Sequence, residues 1–344
     1  MIAIVTAVSL EGAMQGDRLR LQSVVEGARR AVSRVEVVDL KPKVKTPWLS
    51  VATTLAHGEA PYMAWYQWHW QAVQCSDIPE IVIGFQLRAA QPTLECPARY
   101  RILDLTDSLG LYRNNLSTIS ESRKKRWMLR GIEGAEIRWS NRFDEVWVST
   151  IRDQQWLALM GLSARVIENA VSQKKLLTPG NLHHLLFVAN LEYLPNRVGL
   201  SRFLKTAWPT LYRHDYQLTV VGKGSEGIQD PGVTGMGYVP SVEPYYAEAG
   251  IVISPVPVGA GSQNKILEAM GYGRPVVVAA EALKGLTPRQ RAAAIPVASA
   301  SDWLPSLESL QDAKRYQRAV TDGFQAVPVA GDAVASRLIR LLHQ

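Results

Sequence analysis

The residues best suited to chemistry lie together in 251–280, IVISPVPVGAGSQNKILEAMGYGRPVVVAA. Gly259, Ala260 and Gly261 form a small-residue loop after an apolar run, and small side chains let backbone N–H groups approach an anion closely. A helix beginning near Gln263 adds the partial positive charge of its N-terminus, and Lys265 adds a full one. Glu268 lies three residues past Lys265, one turn along the same face. Amides with a lysine suit a diphosphate, and the carboxylate suits the hydroxyls of a ribose. Taken alone, the spacing equally describes a tight strand–helix turn with an i,i+3 Lys–Glu pair, because a lone Gly-rich turn is a weak signal.

Positioning these groups takes a strand on each side of that helix, and the pattern repeats along the chain. Short apolar runs alternate with helical stretches, which predicts an α/β fold with parallel sheets. Strands are expected over 2–8, 35–40, 81–85, 100–105, 145–149 and 164–168, with helices over about 17–33 and 118–141. VSQKKLLTPGNLH (171–183) is polar, holds Pro179 and Gly180 and interrupts the alternation, so it reads as an interdomain linker. A second set of strands is expected over 184–190, 216–222, 251–256 and 274–280, with helices over 301–324 and 331–342. This division predicts domains 1–172 and 173–344, with the last helix able to pack back on the first domain. Between two doubly wound domains a cleft is expected, with ligands outside the carboxyl ends of the strands and at helix N-termini.

At 344 residues and 47% hydrophobic, the chain has material for two domains and a globular composition, which excludes a disordered or fibrous protein. Its net charge of +7 raises nucleic acid, an anionic membrane surface and a phosphorylated substrate as partners. The excess is spread, with 21 basic and 18 acidic residues up to residue 172 and 17 and 13 after it. Neither half is a polybasic arm, so nucleic acid is not expected. Cys75 and Cys96 are too few for a disulfide framework or a four-thiolate metal site, and a reducing compartment is expected. No apolar run approaches the ~20 residues of a membrane span. MIAIVTAVSLEG has no basic n-region and reads as a first strand rather than a signal peptide, which predicts a cytoplasmic protein.

NKILEAMGYGRPVVV (264–278) strongly resembles the donor-binding segment of GT-B glycosyltransferases of the family-4 type, particularly the branch found in bacterial surface-polysaccharide clusters. The resemblance continues through FVANLEYLPNRVGLSRFLKTAWP (187–209), LTVVGKG (218–224) and MGYVPSVEPYYAEAGIVISP (236–255). In the first half, GDRLR (16–20), LDLTDSLGLYR (103–113) and FDEVWVSTIRDQQWL (143–157) are also similar to these transferases. The resemblance implies two Rossmann-like domains, an N-terminal acceptor domain and a C-terminal nucleotide-sugar domain. It implies transfer of a sugar with retention of anomeric configuration, without metal or cofactor. Gly261, Ser262, Asn264 and Lys265 would hold the donor diphosphate, Glu268 the ribose, and Tyr238 and Val239 the base, with Gly222 and Lys223 bringing backbone close. Two departures stand out. The family's first glutamate falls at Ala260, eight residues before Glu268, and the expected base after the first strand of the second domain is Asn190, with Arg197 a distant substitute.

In the first domain, Gly16, Asp17, Arg18 and Arg20 follow the first strand, where a loop closes over the diphosphate in this fold, and Gly16 and Arg20 are donor-contact candidates. Asp107 follows a buried strand and is the leading candidate base for an inverting alternative; a helix cap is its bland reading. His57 and His69 are alternative bases. YMAWYQWHW (62–70) sets Trp65 and His69 at i,i+4, which suits either a buried helix or an aromatic platform for an acceptor sugar or lipid headgroup. RKKRWMLR (123–130), with Arg123, Lys124, Lys125 and Arg126, is a solvated helix face or a contact with anionic lipid. The partners expected are therefore a nucleotide-sugar donor, a saccharide or lipid-linked saccharide acceptor, and the inner face of a membrane. A non-catalytic GT-B binding partner is the alternative of a different class.

Overall fold

The apolar runs resolve into two six-stranded parallel sheets in the computed structural model, which describes residues 1–10, 16–116, 123–171, 175–256 and 264–344. One compact unit comprises Met1–Ser172 with Ala330–Gln344, and the other lies within 173–329.

The N-terminal unit runs β1 (Ile2–Thr6), α1 (Gly16–Ala31), β2 (Val35–Asp39), α2 (Trp48–Ala56), α3 (Pro61–His69), β3 (Ile81–Phe85), α4 (Ala90–Glu95), β4 (Tyr100–Thr106), α5 (Leu109–Leu116), α6 (Arg123–Met128), α7 (Ile132–Ser140), β5 (Glu145–Val148), α8 (Ile151–Leu159) and β6 (Arg165–Val166). Its sheet order is β2-β1-β3-β4-β5-β6. IAIVT and IVIGF are buried at every residue, as parallel strands covered on both faces must be. The long helix expected over 118–141 is instead two short ones. Gly131, at φ +70°, breaks the path between α6 and α7, and 117–122 lie outside the described residues.

The C-terminal unit runs β7 (Asn181–Val188), α9 (Leu194–Thr206), α10 (Trp208–Tyr212), β8 (Gln217–Val221), β9 (Val233–Gly235), α11 (Glu243–Glu248), β10 (Ala249–Ser254), α12 (Asn264–Gly271), β11 (Val276–Ala279), α13 (Pro288–Ala293), β12 (Ile295–Val297), α14 (Trp303–Glu308) and α15 (Ala313–Ala326). Its order is β12-β11-β10-β7-β8-β9. The chain leaves β7 toward β8 and β9 on one side, and β10 toward β11 and β12 on the other, so the topological switch lies between β7 and β10. Strands β9 and β12 are three residues each, too short to carry an alternation in sequence. The helix expected over 301–324 divides because Asp312 caps a new start, its side chain accepting from the Arg315 N–H.

The stretch read as a linker is bound to the C-terminal unit from its middle onward. Lys175 N–H donates to the Gly271 carbonyl at 2.9 Å, and Asn181 already opens β7. The buried guanidinium of Arg274 donates to the carbonyls of Leu177, Thr178 and Tyr246. The final helix, α16 (Asp332–Leu342), packs along α1 in the N-terminal unit. Gly27 allows this contact, because a Cβ there would lie 2.4 Å from Cβ of Val334.

Candidate functional site

The switch between β7 and β10 is where the chemistry-bearing side chains of the C-terminal unit converge. Lys265, in the first turn of α12 beyond β10, donates from Nζ to Oδ1 of Asn196 at 2.6 Å. Asn196 lies in the first turn of α9 beyond β7, is buried, and donates from Nδ2 to the Asn190 carbonyl at 2.9 Å. The Lys265 ammonium also sits 5.2 Å from the ring centroid of Phe187 on β7. Its partners are a neutral amide and an aromatic face, and burial pushes its pKa down to about 7. The last residue of β10, Ser254, has a buried hydroxyl with no hydrogen-bond partner among the described residues. Among the described residues, no carboxylate pairs with this cation.

Glu268 sits one turn along α12, accepting at Oε2 from the Tyr246 hydroxyl at 3.1 Å. Burial pushes the Glu268 carboxyl up, and burial with the neighbouring carboxylate pushes the Tyr246 hydroxyl well above its ordinary value. Tyr246 is fixed in turn, stacked on Tyr272 with centroids 4.6 Å apart. Asn264 opens α12 half-buried. Gly261 and Ser262, with Gly259, Ala260 and Gln263, lie outside the described residues.

Gly222 and Lys223 form the turn after β8, and their backbone is engaged: Gly222 N–H donates to the Gly237 carbonyl, and Leu191 N–H to that of Lys223. Gly222 has φ +136°, and a Cβ there would lie 2.1 Å from the Ala189 carbonyl oxygen. Its glycine is required by the approach of the β7 and β8 ends. Beyond β9, Tyr238 is exposed and Val239 half-buried.

In the N-terminal unit, Arg20 is not a donor contact. Its side chain turns into the fold, pairing through Nε with Asp104 Oδ2 at 3.0 Å, both fully buried, and donating through Nη1 to Asn169 Oδ1 at 3.2 Å. Its place on the inner face of α1 leaves it no route to solvent. Gly16 begins α1 and is exposed.

Asp107 follows β4 at a sharp turn in which Thr106, a β-branched residue, takes φ +66°. Oδ1 of Asp107 accepts from the Ser149 hydroxyl at 2.7 Å. Burial, then the neighbouring Asp153 carboxylate, pushes Asp107 up to about 7. The acids beside it are structural. Glu136 accepts from the Ser108 hydroxyl and the Leu109 N–H at the start of α5, and Asp153 accepts from the Ser108 N–H. Helix capping, the bland reading of Asp107, falls instead to Ser108, whose hydroxyl accepts from the Leu111 N–H at 3.1 Å, with Glu136 taking the Leu109 N–H.

The aromatic helix α3 is half-occupied by its own neighbours. Trp65 stacks on His69 with centroids 5.2 Å apart and lies 5.0 Å from Trp48, while His69 Nδ1 meets the Thr46 hydroxyl at 3.2 Å. Burial pushes His69 down. On α6, Arg123, Lys124 and Arg126 are exposed, whereas Lys125 turns back to bond the Tyr112 hydroxyl and cover its ring.

Asn196 and Tyr246, which hold Lys265 and Glu268, are absent from the candidates read in sequence. The available signal is the Pro195-Asn196 pair opening the helix after β7, a polar residue in a first turn whose face must pack. Among the described residues, no group of three or more His, Cys, Asp or Glu is arranged to hold a metal ion, and no helix is long and apolar enough to cross a membrane.

Residues 183–310 match the family model of glycosyl transferases group 1. No curated protein matches the chain. Among solved structures it is similar to Anabaena HepE in complex with UDP and glucose, at 13% identity over 99% of each chain and a TM-score of 0.64. It is also similar to sucrose-phosphate synthase from Thermosynechococcus elongatus, at 13% identity over 100% of this chain and 98% of that one, with a TM-score of 0.68. A mutant of S. aureus TarM in complex with fondaparinux, alpha-GlcNAc-glycerol and UDP matches 77% of this chain and 55% of its own at 12% identity and a TM-score of 0.58. The likeness to these structures is one of fold, and the segment matched by the family model spans the whole β7–β10 switch with Asn196, Lys265 and Glu268. The chain therefore has the GT-B fold, and its residues 183–310 carry the pattern of the group 1 glycosyl transferases.

Proposed function

We propose that the protein is a glycosyltransferase that moves a sugar from a nucleoside diphosphate to a saccharide hydroxyl, free or lipid-linked, in polysaccharide or glycoconjugate synthesis on the cytoplasmic side of a membrane. The observation that carries this reading is the half-buried Lys265 ammonium, held by an amide and paired with no carboxylate among the described residues, at the switch of the sheet that matches the group 1 model. In the reaction the acceptor oxygen bonds to the anomeric carbon as the bond from that carbon to the diphosphate breaks. The electron pair leaves with the diphosphate, and stabilising that developing charge is the principal task. A lysine in a low-dielectric site at a helix N-terminus performs it without metal, and a bound diphosphate raises the lysine pKa back toward its ordinary value. Glu268, held by Tyr246, takes the ribose hydroxyls, and Asn264 supports the phosphates beside Lys265. Gly261 and Ser262 remain donor candidates through their backbone, as do Tyr238 and Val239 for the base.

Retention is the preferred stereochemistry, with the acceptor proton passing to the leaving diphosphate. Inversion is the second reading, favoured by one observation: Asp107 has an affinity for protons suited to a general base near neutrality, and would take that proton instead.

The test begins with UDP and UDP-sugars, since HepE and TarM were solved with UDP, and continues with GDP-sugars, following thermal stabilisation and turnover. A ligand at one hundred times its Kd adds about 2.7 kcal/mol. Lys265→Ala is expected to lower turnover by about 10²–10³-fold, the scale of losing one preorganised charge-stabilising group. Near-wild-type activity in that variant sinks the donor-site assignment. Absence of binding by any nucleotide favours a non-catalytic partner.

A further inference from the structure

Two segments far apart in sequence flank one helix of the N-terminal unit. Helix α3 packs against both α2 and α6. The chain entering α2, KPKVKTPWL (41–49), holds Val44 at 97%, Leu49 at 83% and Trp48 at 67% exposure, and Trp127 on α6 is 51% exposed. These apolar side chains are not on a loose loop. Lys43 N–H donates to the His69 carbonyl at 2.8 Å and Gln71 N–H to that of Lys41 at 2.9 Å, and Pro42 and Trp70 form an antiparallel bridge. Trp48 itself is backed by Trp65. The segment is pinned to the end of α3 while its apolar tips stay in water, a cost that a partner must offset.

Both segments are basic in sequence. Residues 41–58 contain three lysines and no acid, and 123–130 contain five basic residues and no acid. Lys41 and Lys45 are exposed in the same segment as Val44, Trp48 and Leu49, and Arg123, Lys124 and Arg126 are exposed on α6 with Trp127.

We propose that the segment Lys41–Leu49, with the basic helix α6 that packs on the same helix α3, binds an anionic phospholipid bilayer, the tips of Val44, Trp48 and Leu49 entering the interface and the basic residues meeting the headgroups. Tryptophan favours that depth, and lysine and arginine are drawn to the negative surface. Nucleic acid would use the cations, but Val44 and Leu49 offer a phosphate backbone nothing. Trp65, which sequence sets in either a buried helix or an aromatic platform for a sugar or lipid headgroup, acts here as the support under Trp48. The inference deepens the reading of a lipid-linked acceptor and rests on it only for its purpose, because vesicle binding needs no turnover.

The experiment is co-sedimentation of the full chain with phosphatidylcholine vesicles carrying or lacking 30% phosphatidylglycerol, with duplex DNA as a competitor. Wild type is expected to bind the anionic vesicles at least tenfold better than neutral ones, and to lose most of that binding at high salt. A Val44→Ser, Trp48→Ser, Leu49→Ser triple variant and a Lys41→Glu, Lys45→Glu variant are each expected to reduce the bound fraction at least tenfold. Unchanged far-UV circular dichroism and melting temperature establish that both are folded, and exposed single-site versions serve if either is not. No vesicle binding by wild type, equal binding of neutral and anionic vesicles, unaltered binding by both variants, or displacement by DNA each overturns the inference. A protein that binds vesicles but no nucleotide removes the transferase reading and leaves this one standing.

Discussion

The Lys265 ammonium and the Asn196 carboxamide meet at 2.6 Å, so one hydrogen bond ties the first turns of the helices that follow two adjacent strands. Asn196 is itself anchored by the Asn190 carbonyl. Among the described residues the lysine is therefore positioned without a carboxylate to neutralise it, which keeps it available to an anion and makes its protonation costly. Where a carboxylate would hold the ammonium permanently charged, the amide leaves the charge to be stabilised by ligand.

Replacing the amide tests this directly. Asn196→Asp sets a carboxylate beside Lys265, which favours the ammonium and should move its pKa well above 7, while opposing a bound diphosphate. Nucleotide affinity at pH 7 is expected to fall about tenfold or more, the scale of 1.4 kcal/mol, and its pH dependence to flatten. In wild type, affinity should decline as pH rises above about 7, because the neutral amine must take up a proton to meet the phosphates. Calorimetry in buffers of different ionisation enthalpy measures that proton uptake. Identical affinity and proton uptake in wild type and Asn196→Asp would remove Lys265 from the phosphate site.

The same lysine has a stability consequence. Its folded pKa is depressed from 10.5 to about 7, so between those values the unfolded chain binds more protons and stability rises with pH. Below about 7 the full cost of burying the charge is present. Lys265→Met should be more stable than wild type in urea at pH 6, and the difference should shrink toward pH 10. A variant less stable than wild type at both values contradicts the burial.

Arg20 predicts the opposite balance. Its guanidinium is spent on Asp104 and Asn169 inside the N-terminal unit. Arg20→Met strands the buried Asp104 carboxylate and should cost about 3–5 kcal/mol, the usual penalty for breaking a buried pair from one side. Nucleotide affinity of the folded fraction should be unchanged. A loss of affinity without loss of stability would return Arg20 to the donor site.

Lys265 and Arg20 mark what sequence could and could not reveal here. Both follow a strand and open a helix, the position at which open α/β sheets hold ligands. Only the rotation of the helix separates them, and that depends on which face the sheet covers. At α1 the covering pattern buries Arg20 with Leu21, Val24 and Ala28. At α12, Ile266, Leu267, Ala269 and Met270 take the core and leave Lys265 and Glu268 on the other side. The parallel sheets were legible because IAIVT, IVIGF and AGIVIS are uninterrupted apolar runs between helical patterns. Asn196 was not, since a partner contributed by a helix 69 residues away leaves no local pattern.

The glycine after β8 gives a test of fold rather than chemistry. Gly222→Ala would place a Cβ 2.1 Å from the Ala189 carbonyl oxygen at φ +136°. Backbone clash and strain together should cost at least ~3 kcal/mol, beyond the range of ordinary surface substitutions. Chemical denaturation measures it. An alanine tolerated within ~0.5 kcal/mol would mean that the β7 and β8 ends do not approach as described.

Asp107 separates the two stereochemical readings. Its folded pKa is raised from 3.8 to about 7, so the folded state holds a proton that the unfolded state releases, and stability falls as pH rises through that window. Asp107→Asn keeps an oxygen for the Ser149 hydroxyl and removes the ionisation. The variant should match wild type near pH 4 and exceed its stability above pH 7. If Asp107 takes the acceptor proton, kcat/KM in wild type rises with pH up to about 7, as the carboxylate forms. The asparagine variant then loses that limb and about 10²–10⁴-fold of the rate, and the product has inverted anomeric configuration by NMR. If the proton goes to the leaving diphosphate, the variant keeps its rate and the product retains configuration. Retained configuration with a collapsed rate would fit neither route, and would assign Asp107 to holding the acceptor through Ser149 and the Thr106 turn.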